Sequence, residues 1–286
     1  MRVGSAVAKW IAVNGGVMVC ALTVAGADHA VRWLTSSPSL SALAATAVLY
    51  ASVYAACTHN LRGRPRSQGN EKPLRPVAIS SVLAHPLGSA LERYLWTHWY
   101  ADWTAGSSSW VGSSISIWYP LLLCRLLLFE LAFDMLFYIA HRAVHLPVVY
   151  RRVHKLHHAH THDLRLLSAL QMSPLDALLT HTVPLLGALH LVPLAPGLEL
   201  SIAKCYLLFQ ELYGHAGVEN RGRNFGPAPW LATWLGVELR SEDHQHHHIR
   251  GDVNFSKRFS LFDRLGGTWE APSVAPPSRA AVAASA

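Results

Sequence analysis

Long apolar runs alternate with short polar segments along this chain. The runs 6–27 and 40–57 are both long enough to cross a bilayer, which takes about 20 apolar residues. A cleaved signal peptide is the alternative for the first run, because residues 25–27 resemble a cleavage site, although the run is long for that role. The loop 62–66 is basic, and basic loops beside membrane helices favour the cytoplasmic side. We therefore predict a transmembrane hairpin within residues 1–66, with both ends cytoplasmic.

The apolar run 118–140 predicts a long helix with one polar stripe. Its charged residues, which include Arg125 and Glu130, are costly in hydrocarbon unless they face a protein interior. Further polar residues recur at helical spacing and form a stripe that continues past the end of the run. The stripe consists of Asp134, Tyr138, His141 and His145. We expect this helix to lead out of the membrane and to carry its polar face toward the histidines.

Two other regions complete the predicted membrane part. Residues 173–213 predict a helical hairpin that turns at Pro193 to Gly197. The segment 67–117 is rich in Ser, Gly, Pro and Trp, and such aromatic residues favour the membrane interface. Within it, residues 77–95 form either a further crossing or an amphipathic or re-entrant helix. The tail 271–286 is rich in Ala, Pro and Ser, and we predict that it is disordered.

Composition supports this assignment. The chain is 51% hydrophobic and 14% charged, with a mean hydropathy of +0.21, whereas soluble domains carry about 25% charged residues. The net charge of +7 does not indicate nucleic acid, because the basic residues gather at the edges of apolar runs. We predict an all-α integral membrane protein with about four to six transmembrane helices and a cytoplasmic helical cap, in which the segment 77–95 either crosses or forms an amphipathic or re-entrant helix. The cap would hold a His-rich dimetal site.

Three histidine clusters have metal-ligand spacing: HRAVH at 141–145, HKLHH at 154–158 and HQHHH at 244–248. Residues three and four apart share one face of a helix. The predicted topology places all three clusters on the cytoplasmic face. The spaced histidines are His141, His145, His154, His157, His158, His244, His247 and His248, with His246 on another face. They exceed what one four-coordinate zinc needs and fit a two-metal centre with open positions.

The clusters and their surroundings resemble the fatty acid hydroxylase/sterol desaturase superfamily of membrane di-iron oxygenases. The order H-x3-H, H-x2-H-H and H-x2-H-H is that of the family, and the sequence NFSKRFSLFDRLGGTW at 254–269 also matches. The resemblance covers roughly residues 118–269 and implies a catalytic domain over 118–270. It also implies that His215, in GHAG, is a further ligand. Some relatives have a second histidine four residues earlier, where this chain has Glu211.

The resemblance further implies O2-dependent hydroxylation or desaturation of an unactivated C–H bond in a lipid or isoprenoid substrate. The implied cofactors are two Fe ions, with Zn as a substitute in purified protein. Electrons would come from a separate ferredoxin or cytochrome, since no nucleotide-binding fingerprint occurs in the sequence. Six more residues are candidates either to bind a metal or to orient an imidazole: Asp134, His160, His162, His181, Glu211 and Asp243.

Other classes fit the sequence less well. A membrane metal-handling protein would have ligands along a path across the bilayer, whereas these clusters fall in one layer. A zinc-dependent membrane hydrolase is a further alternative, but the zinc protease motif H-E-x-x-H is absent. His85-Pro86-Leu87-Gly88 resembles a haem-binding loop of cytochromes but lacks its first glycine.

Overall fold

The computed structural model describes residues 3–67, 70, 72–104, 114–218 and 227–272. In these residues the regular structure is helical, apart from a single bridge between Arg66 and Val218. The helices are α1 (Val3–Thr35), α2 (Pro38–Leu61), α3 (Ile79–Val82), α4 (Ala84–Thr104), α5 (Ile115–Val144), α6 (Pro147–Arg152), α7 (Pro174–Ala177), α8 (Val183–Leu191), α9 (Leu198–Gly214), α10 (Pro229–Trp234), α11 (Ser241–Arg250) and α12 (Leu261–Leu265). Short 3₁₀ turns lie at His157–Ala159 and Leu166–Leu170, and a π turn at Leu178–Thr182 joins α7 to α8.

Helices α1 and α2 form the predicted N-terminal hairpin and pack against each other. Both are long and apolar enough to cross a membrane, and among the described helices they alone meet that description. Only 17% of the apolar stretch of α1 is buried, so its outer surface is suited to lipid contact. The total of four to six membrane crossings stays a prediction. The division of the chain into 1–66, 67–117, 118–270 and 271–286 also stays a prediction.

Helix α1 extends beyond the predicted end of its apolar run because its polar residues are paired. Arg32 lies 3.2 Å from Asp28, one turn earlier, and the hydroxyl of Ser41 donates to Asp28 from α2. Ser37 caps the start of α2 by accepting a hydrogen bond from Leu40 N. These contacts lock the short connection between the two helices.

Helix α5 carries its charged residues inward, as its polar stripe predicts. Arg125 forms an ion pair with Glu199 of α9 at 3.0 Å, and Trp118 also donates to Glu199. Glu130 and Asp134 are fully buried. Pairing offsets the large desolvation penalty of charges in an apolar environment. The stripe therefore joins α5 to the rest of the bundle. Cys124, however, is exposed on α5, outside the polar face.

The predicted hairpin over 173–213 corresponds to α7, α8 and α9. Its turn includes Gly197, whose φ of +90° suits glycine. Helix α9 packs against α1 and α2, and its Lys204 forms a buried ion pair with Glu92 of α4 at 2.6 Å. The segment 77–95 thus becomes α3 and most of α4. In α4, Leu87 and Leu91 face outward while Glu92 is buried, which is the polarity of a lipid-facing helix.

Two predictions fall partly outside the described residues. The tail 271–286 lies beyond them from residue 273 onward, and so do residues 105–113 of the segment 67–117.

The connection after α2 contacts the chain close to two of the histidine-bearing segments, at Leu164 and Gly217. The side chain of Asn70 donates to the carbonyls of Leu164 and Gly217, at 3.1 and 2.7 Å, and accepts from Leu164 N at 2.6 Å. Gly217 has a φ of +64°, a conformation that costs other residues about 1–2 kcal/mol. This three-way contact fixes the backbone two residues after His215.

Gly217→Ala tests that contact. A Cβ at Gly217 would collide with the Leu164 carbonyl and the Asn70 amide, so we expect a clear drop in thermal stability. Gly63→Ala is the matched control, because Gly63 has a φ of +73° but no atom near its would-be Cβ. It carries the backbone cost of about 1–2 kcal/mol alone. Equal melting temperatures for the two purified variants would show that the Asn70 contact contributes nothing.

Candidate metal centre

The histidines of the site come from four parts of the chain that converge on one point. The last turn of α5 supplies His141 and His145, and Pro147 then begins the short helix α6. The turn after α6 supplies His154, His157 and His158, the end of α9 supplies His215, and one face of α11 supplies His244, His247 and His248. The nine residues predicted as ligands lie together.

The nine side chains form two groups, and in each group the ligating atoms all lie within 4.8 Å of one another. The five-His group is His141, His145, His154, His158 and His247, and the four-His group is His157, His215, His244 and His248. The groups adjoin, since the rings of His158 and His248 stack at a centroid distance of 4.4 Å. Two metal ions side by side would fit these groups.

Backbone carbonyls set the orientation of several rings. A carbonyl can only accept, so a ring nitrogen that contacts one carries the proton. The Nδ1 donors and their acceptors are His141 to Phe255 at 2.7 Å, His247 to Val253 at 2.7 Å, His215 to Glu211 at 3.0 Å and His157 to Gln171 at 3.3 Å. In the neutral ring, Nε2 then keeps its lone pair, the form that binds metals.

Within each group, Nε2 atoms face one another. Six such pairs are separated by 3.0 to 3.3 Å. Ligands about 2.0–2.1 Å from one metal ion would be separated by about 3.0–3.4 Å, depending on geometry. In the pairs His141–His154 and His157–His215 both Nδ1 atoms donate to oxygen, so the facing Nε2 lone pairs repel each other unless a cation lies between them. His145 Nε2, buried without a hydrogen-bond partner, is also explained by such an ion.

Burial keeps these imidazoles neutral. The pKa values of His157, His247 and His248 lie well below 6.5, first because burial disfavours the charged ring and then because neighbouring histidines would repel it. The donor set of neutral nitrogens suits iron, zinc or copper. The residues present therefore fit a two-metal centre.

The two groups differ in access. The four-His group has one imidazole fewer and borders a cavity of about 80 Å³ that is lined by His215 and His244. Phe209, Tyr213 and Leu239 form apolar parts of its wall. One water molecule needs about 10–15 Å³ of such space, so the cavity accepts small molecules. An open coordination position is therefore expected on this side.

Asp176 is a contact of the site that the sequence did not reveal. His154 Nδ1 donates to both carboxylate oxygens, each at 2.9 Å, and Asp176 is fully buried. Ser173 fixes this end of α7, because its hydroxyl accepts from Asp176 N and donates to the Val153 carbonyl. A carboxylate behind a ligand histidine orients the ring and raises its basicity. A lone Asp in the apolar run 174–191 was the available signal.

Two of the other predicted site residues, Asp134 and Asp243, accept hydrogen bonds from backbone amides. Asp134 accepts hydrogen bonds from three successive amides, those of Lys257, Arg258 and Phe259, at 2.7 to 2.9 Å. This bond set anchors the loop that carries Phe255, the carbonyl partner of His141. Asp243 accepts from Arg240 N at 2.6 Å and caps α11. Both therefore position the site through the backbone.

His160 and His162 lie beside the second cluster but outside both groups. His160 Nδ1 donates to Asp163 at 2.8 Å, and its Nε2 lies 3.1 Å from Gln171 Oε1. Gln171 is also the backbone acceptor for His157. The carbonyl of His162 accepts from Lys72 N at 3.1 Å. These contacts tie the turn after α6 to the connection after α2.

His181 and Glu211 meet in a third group with His85, and their ligating atoms again lie within 4.8 Å of one another. In this third group the positive charge comes from the side chain of Lys257 and not from a metal ion. The ammonium group of Lys257 contacts the Glu211 carboxylate and lies 3.2 Å from His181 Nε2. The buried charges are thus paired. Glu211 touches the metal centre through its backbone carbonyl, which accepts from His215.

Asp176→Asn tests the carboxylate behind His154. We expect metal affinity to fall about 10–100-fold, because partners of this kind contribute that much to ligand basicity and orientation. Metal retention would be measured by competition with a chelator. Asp163→Asn is the matched control, since Asp163 accepts from His160 in the same way but His160 is in neither group. Equal metal loss in both variants would contradict the assignment.

The lowered histidine pKa values predict an acid-labile metal-free protein. Below pH 6.5, His157, His247 and His248 are protonated in the unfolded chain but stay neutral in the folded chain. Stability is therefore full above about pH 6.5 and falls as the pH drops below it. The melting temperature of chelator-treated protein, measured from pH 8 to pH 5, should decline over this range. The decline should be shallower for His248→Gln, and a flat profile would contradict the buried, neutral assignment.

The chain is similar to several lipid-modifying proteins over about half of its length. A fatty acid hydroxylase of Lecanicillium sp is 30% identical over 157 residues, which are 53% of this chain and 43% of the relative. The C-4 methylsterol oxidase of Schizosaccharomyces pombe is 31% identical over 167 residues, 54% and 51% of the two chains. Lathosterol oxidase of Mus musculus is 29% identical over 144 residues, 49% and 43%. The matches thus span about half the length of these relatives. No solved structure matches the chain.

The fatty acid hydroxylase family profile matches residues 126–268, which is half of the 286 residues. The matched span contains both histidine groups, Asp176 and the loop held by Asp134. The chain therefore belongs to the fatty acid hydroxylase family.

Proposed function

We propose that this chain catalyses O2-dependent hydroxylation, or desaturation, of an unactivated C–H bond in a lipid-like substrate, at a di-iron centre held by the two histidine groups. The observation that carries the proposal is the convergence of nine histidines in two groups, with six pairs of Nε2 atoms at 3.0 to 3.3 Å. The names of the relatives, a hydroxylase and two sterol oxidases, support a lipid oxidation. In hydroxylation, the substrate, O2, two electrons and two protons give the alcohol and water.

Bound iron would supply the activation of O2. The chain supplies position and environment. The five-His group, with Asp176 behind His154, would hold one ion. The four-His group would hold the other beside the cavity at His215 and His244. The substrate C–H bond is expected to approach on that side.

The surroundings of the cavity support an apolar substrate. Phe209 and Tyr213 stack on each other at 4.2 Å along α9, and α9 packs against the two helices that are long enough to cross a membrane. A lipid that leaves the bilayer between these helices would reach the cavity without passing through water. We propose that the chain is a multi-pass membrane protein with its metal centre on the cytoplasmic side.

The protein environment would also exclude water from the reaction. Seven of the nine histidines are buried, His145 and His244 are half-buried, and His141 and His247 are almost completely inaccessible. Exclusion of water prevents side reactions of an activated oxidant. Electrons would come from a separate redox protein.

Two neighbouring substitutions on α11 test the proposal. His247 belongs to the five-His group, whereas His246 points away and lies 2.8 Å from Glu270. We expect His247→Gln to lose bound iron and reductant-driven O2 consumption with a lipid extract. His246→Gln should retain both within about twofold, because His246 belongs to neither histidine group and contacts the side chain of Glu270 instead.

The controls distinguish the alternatives. A metal-handling protein would bind metal but consume no O2. A zinc hydrolase would show full zinc loading, negligible iron and no O2 uptake under reduction. Either result with the unsubstituted protein would contradict the proposed oxygenase.

A further inference from the structure

The stretch that joins the first two histidine clusters has an exposed outer face, the α6 surface. It consists of Arg142, Leu146, Val148, Arg151, Arg152, Lys155 and Leu156. Leu146 and Val148 are 58% and 66% exposed, and Leu156 is 39% exposed. The surface therefore has an apolar centre with cations around it, the usual anatomy of a site for a protein partner.

The charge of this surface has one sign. Residues 135–162 contain four Arg or Lys residues and no Asp or Glu. Arg142 stacks over the ring of Tyr138 and donates to its hydroxyl, while Arg151 is held by the Pro147 carbonyl. No acidic residue of this stretch neutralises the cations. A partner with a negatively charged face would therefore be attracted and oriented.

The α6 surface lies directly over the five-His group. His145 precedes α6 and His154 and His158 follow it, so the same 14-residue stretch provides both ligands and surface. Tyr150 of α6 is half-buried between the two. Its ring centroid lies 5.4 Å from that of His145, 5.7 Å from His158 and 6.3 Å from His154. An aromatic ring thus separates the surface from three candidate ligands.

We propose that the α6 surface is the docking site of a small, negatively charged electron-transfer protein. The inference rests on the proposed function, because only a redox centre gives such a partner a role. Electrons would enter from the partner's reduced cofactor at the five-His group, under Tyr150. The substrate side is at the four-His group, where the cavity lies. The donor and the substrate therefore do not compete for one entrance.

Charge reversal on α6 tests the docking site. The full chain, in nanodiscs of neutral lipid, would be titrated with an acidic [2Fe–2S] ferredoxin and with the soluble haem domain of an acidic cytochrome. We expect Arg151→Glu with Arg152→Glu to raise the Kd of the bound probe about tenfold and to flatten its dependence on ionic strength. The matched control is Arg62→Glu with Arg64→Glu, two exposed cations in the loop after α2.

The result expected for the control pair is a Kd within about twofold of the unsubstituted chain. Equal loss in both pairs would show unspecific charge attraction and would overturn the proposal. The proposal would also be overturned if neither probe bound to the unsubstituted chain. The binding step needs no turnover, so it remains measurable if O2 consumption, and with it the proposed function, fails.

A membrane contact is the rival explanation of this surface. A fluorophore on Val148→Cys would report it, with the unsubstituted chain labelled in parallel because Cys124 is exposed. Quenching by the acidic probe in neutral nanodiscs supports docking. Quenching by brominated anionic lipid without any probe would place the α6 surface on the bilayer and overturn the proposal.

Discussion

Repulsion between facing lone pairs of neutral imidazoles is the constraint on which the rest of the structure depends. Nine histidines are brought together, and eight of them place Nε2 at 3.0 to 3.3 Å from another Nε2. In the pairs His141–His154 and His157–His215 every Nδ1 already donates to an oxygen, so a further proton on Nε2 would make a ring cationic in a buried volume, which burial opposes. A bound cation is the remaining solution. The fold must therefore hold the rings in place before the ion arrives, and release none of them to solvent.

The fold achieves this through backbone acceptors. Four rings are oriented by carbonyls, of which those of Phe255, Val253 and Gln171 lie in connections between helices and that of Glu211 lies in α9. Asp134 binds three amides next to Phe255, and Asp263 binds the amides of Phe255 and Ser256. In the same way, the side chain of Asn70 donates to the carbonyl of Gly217 and holds the backbone two residues after His215. Asp134 and Asp263 thus fix backbone rather than contact the histidine groups, and the candidate ligands themselves are neutral.

Local spacing explains why the candidate ligands were accessible to sequence reasoning. Residues three or four apart on α5 and α11 share a face whatever the tertiary structure is, and the polar stripe of α5 points to the same place. The partners from distant parts of the chain were not accessible in this way. Asp176, Asn70 and Lys257 reach the site only through long-range packing, and no periodicity marks them. Helix ends shifted for a similar reason, since the Asp28 contacts that extend α1 join two helices.

The same packing explains why the two histidine groups are unequal. Four members of the five-His group come from residues 141–158, so this group lies close to the surface formed by α6. The four-His group takes its members from three separated parts of the chain, and the space between those parts is the cavity beside α9. If each group binds a metal ion, as proposed, one position is surrounded by more imidazoles and the other borders the cavity. Such asymmetry suits a reaction in which electrons and substrate must arrive from different directions.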